Sequence, residues 1–171
     1  MTALPLPLAE YCPELDPARL AAANINPKTR LATDYLNHFH EAIMLLELLP
    51  DTPECIVELI GWEPLSYQEH FAASPFRERE LAIAAYEAAE PIARVRLDEL
   101  ADAMNALLAA TCEALPRRSS LESAVKLAAE AAARLRPLVA QAGAVINGGG
   151  LGAQDVTTAE QQAAVDALFD R

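Results

Sequence analysis

The sequence predicts an all-α protein: a bundle of three or four long helices, with short helices inserted and a tethered C-terminal helix. Three observations predict it. By residue count, 36 of the 171 positions are Ala and 25 are Leu, while Ile, Val and Thr supply seven each. That composition favours helices and is poor in the β-branched residues that strands use. Apolar residues also recur at intervals of four and three over long stretches, the spacing of one helix face. Finally, Asp, Asn, Ser or Thr repeatedly stands just before Pro, or three residues before Glu, and both are helix-start signals. With 53% apolar residues the chain can bury a real core, and its length suits one domain.

The elements follow in order. Residues 1–16 form an irregular, Pro-rich N-terminal arm. Asp16-Pro17 starts a short helix to about Ala23. Asn26-Pro27 starts a long helix over 27–49, halted by Pro50, with Tyr35, Phe39, Ala42, Leu46 and Leu49 as its inner stripe. Thr52-Pro53 opens a short helix over 53–60 that ends at Gly61, a C′ position. Ser66 and Glu69 form a capping box for a helix over 67–73. Ser74-Pro75 opens another, running to about Ala89, and Pro91 either begins a new helix or kinks a continuous one. The following helix reaches Leu115 and turns Leu97, Ala101, Met104, Leu108, Thr111 and Leu115 inward. After the turn, Ser119 and Glu122 form a second capping box. Leu121, Val125, Ala128, Ala132, Leu135, Val139, Ala142 and Ile146 then make the most regular stripe in the chain, an antiparallel or coiled-coil-like seam. Pro137 lies off that seam and should bend the helix. The bundle domain thus spans 1–147, followed by a Gly-rich linker over 148–157 and a tail helix over 158–171 opened by Thr157 and Glu160.

Charge narrows the function classes. The net charge is −12, which argues against duplex nucleic acid, since phosphate neutralisation needs Lys and Arg. The excess is uneven. Residues 31–76 hold eight acids and no base, and residues 137–170 hold four acids and no base. Between Arg77 and Arg136, nine bases face ten acids. Such segregation fits a solvated acidic face, a basic protein partner, or the basic segment of a second copy in a homo-oligomer. No stretch is long and apolar enough for a membrane span, and the N-terminus lacks the basic region of a secretory signal. Cys12, Cys55 and Cys112 are odd in number, widely spaced and without a CxxC, as expected of isolated thiols in a reducing cytoplasm. The glycines at 148–152 lack the Lys-Ser/Thr of a phosphate loop, and no cofactor is expected.

Two local constellations carry chemistry in principle. Asp34, His38 and Glu41, spaced four and three apart, are candidate metal ligands on one helix stripe, with Asp98, Asp102 and Asn105 as possible oxygen donors from a second helix. The Glu-x-x-His pairs of ferritin-like bundles are missing. Asp34 with Asn37 and Asp102 with Asn105 are acid–amide pairs able to position a water, though no nucleophile or phosphate loop accompanies them.

The tail is the most informative segment. Val165, Leu168 and Phe169 lie at i, i+3 and i+4, flanked by Asp166 and Asp170, a pattern of anchors suited to a groove, either on its own bundle or on another protein. The segment resembles the short peptide with which flagellar switch proteins and the chemotaxis phosphatase bind a response-regulator receiver domain. Gln162, Val165, Asp166, Leu168 and Phe169 match that peptide, while Gln161 stands where it usually has Ser. The resemblance covers about nine residues and implies a docking tail whose contacts are Val165, Asp166, Leu168 and Phe169. It does not extend to phosphatase activity, because the bundle lacks the Asp-x-x-x-Gln pair that activity needs. The expected function is therefore a non-enzymatic helical interaction or regulatory protein of bacterial type. A metal-binding bundle centred on Asp34, His38 and Glu41 is the alternative.

Overall fold

The computed structural model describes residues 15–149. Seven α-helices and no strand occur among the described residues. They are α1 (Pro17–Ala22), α2 (Asn37–Leu48), α3 (Ile56–Ile60), α4 (Tyr67–Ala73), α5 (Arg79–Glu87), α6 (Pro91–Ala114) and α7 (Leu121–Ile146). Three are long. The α6–α7 hairpin forms one wall, and α2 packs along the other side of α7. The short helices α3, α4 and α5 fill the space between α2 and α6, the expected insertion. None of the described helices is long and apolar enough to cross a membrane.

The inner stripes are where the periodicity put them. Tyr35, Phe39, Ala42, Leu46 and Leu49 are all buried, as are Leu97, Ala101, Met104, Leu108, Thr111 and Leu115. Thr111 satisfies its hydroxyl by donating to the Leu107 carbonyl one turn back, at 2.8 Å. The α7 seam is buried from Ala128 to Ile146, but Leu121 is 49% exposed, so the seam begins a turn later than its sequence pattern.

Four predicted helix starts move, each for a local reason. The helix expected from Pro53 begins at Ile56, behind a 3-10 turn over Pro53–Cys55, because the Thr52 side chain makes no capping hydrogen bond. The helix expected from 27 begins at Asn37, after a 3-10 turn over Thr33–Leu36. Asn26 does cap: its side chain accepts from the Lys28 and Thr29 N–H groups at 2.9 and 3.0 Å. But Arg30 adopts φ +61°, and an antiparallel bridge between Ile25 and Ala32 closes the loop instead of extending a helix. The helix expected from Ser74 begins at Arg79, because the Ser74 hydroxyl closes a tight turn on the Phe76 N–H at 3.0 Å. The capping box before α7 uses Ser120 and Ser123, not Ser119 and Glu122. The helix starts at Leu121, so Ser120 is the cap and Ser123 stands at N3, where its hydroxyl accepts from the Ser120 N–H and donates to its carbonyl. Other signals stand unaltered. Asp16 caps α1, and Ser66 and Glu69 form the predicted box on α4. Pro91 opens α6, with the Glu90 carboxylate accepting from Ala93 N–H at 2.7 Å. Gly61 ends α3 at an ordinary negative φ, so it does not use the left-handed freedom of a C′ glycine.

The end of α7 is closed completely. Gly148, at φ +79°, donates its N–H to the Val145 carbonyl, and Gly149 donates to Ala144 at 2.8 Å. This is a Schellman cap, and only a residue without Cβ adopts that φ cheaply. The buried Thr29 seals the same end: its hydroxyl donates to the Ile146 carbonyl at 2.6 Å. Gly148 and Gly149 thus belong to the helix cap; the remainder of the predicted linker, the tail helix with Val165, Asp166, Leu168 and Phe169, and most of the N-terminal arm lie outside the described residues.

Candidate functional site

The predicted metal stripe does not converge. Among the described residues, no three His, Cys, Asp or Glu side chains are grouped as a metal ion needs. Asp34 sits in the 3-10 turn, which winds about 120° per residue rather than about 100°, so it is rotated off the line of His38 and Glu41. Its carboxylate accepts from the Asn24 side chain at 2.9 Å. Glu41 is exposed. His38 turns instead to Trp62, on which its ring stacks at 4.7 Å between centroids. His70 lies 6.0 Å away. Burial, together with the neighbouring His70, pushes the His38 imidazole down to about 4, while the Glu63 carbonyl acts in the opposite direction. Burial also lowers His70, with the Asp34 carbonyl and charge opposing it. Both rings are therefore neutral at pH 7, and His38 serves as an aromatic packing element.

The second predicted stripe joins a tyrosine cluster that pattern reading missed. The Tyr86 hydroxyl donates to the Asp98 carboxylate, 2.8 Å from each oxygen. Tyr86 stacks on Tyr67 at 4.7 Å, and Tyr67 meets Tyr35 at 5.2 Å. Tyr67 accepts from the Ala32 N–H, while Tyr35 donates to the Leu65 carbonyl. Asn105 also donates to Leu65, at 3.4 Å, which takes it away from Asp102. Asp102 is exposed, as is Asn37, so neither acid–amide pair forms a water-positioning site. Burial first, then the Asp98 carboxylate, pushes the Tyr86 hydroxyl up to about 12. Burial raises Asp98 as well. The cluster ties α4 and α5 to α6 with protons that stay in place at neutral pH. The sequence signal for it was thin: three tyrosines with no shared spacing.

A groove runs between α2 and α7. It holds two largely apolar cavities of about 290 and 320 Å³. Leu36, Ile43, Val139, Ala140 and Gly143 line the first, and Leu46, Val125, Ala129, Ala132 and Ala133 the second. Arg136 borders both cavities and bridges the groove to Glu47, its Nε 3.0 Å from the carboxylate and its Nη2 bonded to the same oxygen. The floor on the α7 side consists mainly of Ala and Gly, so a third helix can approach closely. In chemical terms the described residues offer a rigid tyrosine–histidine core and an apolar helix-lined groove. No family model, no curated protein and no solved structure matches the chain.

Proposed function

We propose that the chain is a non-enzymatic interaction protein of the cytoplasm that presents its C-terminal helix to a receiver-domain partner. Val165, Leu168 and Phe169 are the anchors in this reading, and Asp166 is their polar companion. The observation that supports it most is the finished cap at Gly148 and Gly149. The last helix of the bundle satisfies its carbonyls before the tail begins, with Val145 and Ile146 already buried. The apolar anchors thus follow a bundle whose final helix is complete without them. Binding of the full chain to a chemotaxis receiver domain, followed by titration calorimetry, tests the reading. Saturable binding is expected, and Leu168→Ala with Phe169→Ala should weaken it at least about tenfold, since buried anchors carry most of such an affinity. Equal binding by the double variant, or none by the parent chain, overturns the reading.

A further inference from the structure

We propose that the outer face of α2 and α3 is a docking surface for a basic amphipathic helix of a partner protein. This surface is separate from the tail, and the inference does not rest on the receiver-domain reading. Seven large apolar side chains are exposed among the described residues, and four of them lie on this two-helix layer. Met44 and Leu48, 51% and 41% exposed, stand one turn apart on α2. Val57 and Ile60, 71% and 48% exposed, stand one turn apart on α3. Two contacts set the helices side by side. The Cys55 thiol, just before α3, donates to the Leu45 carbonyl at 3.3 Å, and Trp62, just after α3, stacks on His38. The short helix therefore runs back along α2, antiparallel to it. Leu45, Leu46 and Leu59 supply the buried side of the layer, so the four exposed side chains are surplus to the core.

The charges around them select the occupant. Glu41, Glu47, Asp51, Glu54, Glu58 and Glu63 are all exposed, and the stretch from Leu31 to Phe76 contains no Lys or Arg. The three ion pairs among the described residues use only Glu47 of these six, through Arg136. Five carboxylates thus surround the apolar side chains without an ion-pair partner among the described residues. Such a surface draws in cationic segments and opposes acidic ones. The same face of a second copy would set acid against acid, and an anionic lipid surface or a nucleic acid is opposed for the same reason. A helix with apolar side chains at i, i+3 and i+4 and Lys or Arg on both flanks meets both requirements. Its apolar face covers Met44, Leu48, Val57 and Ile60, and its flanks neutralise the carboxylates. Met44, unbranched and adaptable, suits the centre of that contact.

The test titrates the full chain with a fluorescent model peptide of about 18 residues, or five helical turns, built from Leu on one face and Lys on the other. Two controls accompany it: a scrambled peptide of the same composition, and a version with Glu in place of Lys. Saturable one-to-one binding of the amphipathic Leu/Lys peptide is expected, at least about tenfold tighter than either control, and weakening between about 50 and 300 mM salt. Met44→Gln with Val57→Gln should weaken it at least about fivefold. Leu48→Gln with Ile60→Gln is the second pair, read if the first departs from parent-like circular dichroism. Ile92→Gln with Val95→Gln, at the other exposed apolar pair, on α6, should leave binding unchanged. Glu54→Gln with Glu58→Gln should weaken binding and flatten its salt dependence. No binding, equal binding of the scrambled peptide, or full binding by the folded α2/α3 variant overturns the proposal. Sedimentation of the parent chain supplies the last arm: a dimer that Met44→Gln with Val57→Gln dissociates would assign this face to a second copy and overturn the proposal as well.

Discussion

The imidazole of His38 lies against Trp62, the single tryptophan of the chain, which makes its protonation visible. The folded pKa of His38, about 4, is below the ordinary value of 6.5, so the unfolded chain takes up this proton first. Stability from this site is therefore full above about pH 6.5, is lost as pH falls, and is gone once pH drops through about 4. Trp62 emission should hold steady from pH 7 to 5 and be quenched as the stacked ring gains charge near pH 4. His38→Gln should abolish that step and flatten the acid side of the stability profile, as measured by urea denaturation from pH 7 to 4. His70 and the Glu63 carbonyl face the same ring, and Asp34 acts on His70 in turn, so the difference between parent and variant is the quantity to read. A second residue-scale device is Thr29. Thr29→Val keeps the shape but leaves the Ile146 carbonyl without its donor, and should cost about 1–3 kcal/mol in chemical denaturation.

Among the elements, α7 depends most on its last turn. Gly148→Ala meets no clash, since its nearest neighbours, on Lys28 and Thr29, are at ordinary van der Waals contact, 3.8 Å from the added carbon. Its cost is conformational, about 1–2 kcal/mol for placing a Cβ at φ +79°, and it should appear as a lower unfolding midpoint with an unchanged denaturant slope. Which element boundaries were legible follows from the same local chemistry. Carboxylate or hydroxyl caps at Asp16 and Ser66 commit their helices within four residues, and both were readable as written; the Glu90 cap was not, and it is what decides that Pro91 opens a helix rather than kinks one. Asn26 and Ser74 present the same letters, but their side chains serve one turn each. What ends those turns is a left-handed Arg30 in one case and a Phe76 that packs on Phe71 in the other, and neither is a local signal. The Asp34–His38–Glu41 stripe failed for a related reason: it assumed α-helical winding across a segment wound as a 3-10 turn.

At the scale of the whole molecule, the apolar stripes identified the bundle because every long helix meets its neighbours through period-3.6 faces, and period survives without knowledge of partners. The tyrosine cluster and the groove were illegible because they arise from which helices face each other, a tertiary choice without a sequence period. Charge is also a property at this scale. The three ion pairs among the described residues are exposed, while the chain carries −12. Screening should therefore relieve more repulsion than it removes attraction. The melting temperature is expected to rise between 10 and about 300 mM salt, and a fall would show that the pairs dominate. The Thr29–Ile146 hydrogen bond, finally, bears on biosynthesis. It joins residues 117 positions apart, and α2 likewise finds α7 only after most of the described chain has been made. At about 5–20 residues per second, α2 waits roughly 6–23 s on the ribosome for its partner. During that interval the stripe from Tyr35 to Leu49 lacks the helix it packs along in the finished fold, so its burial is completed only when the last helix emerges.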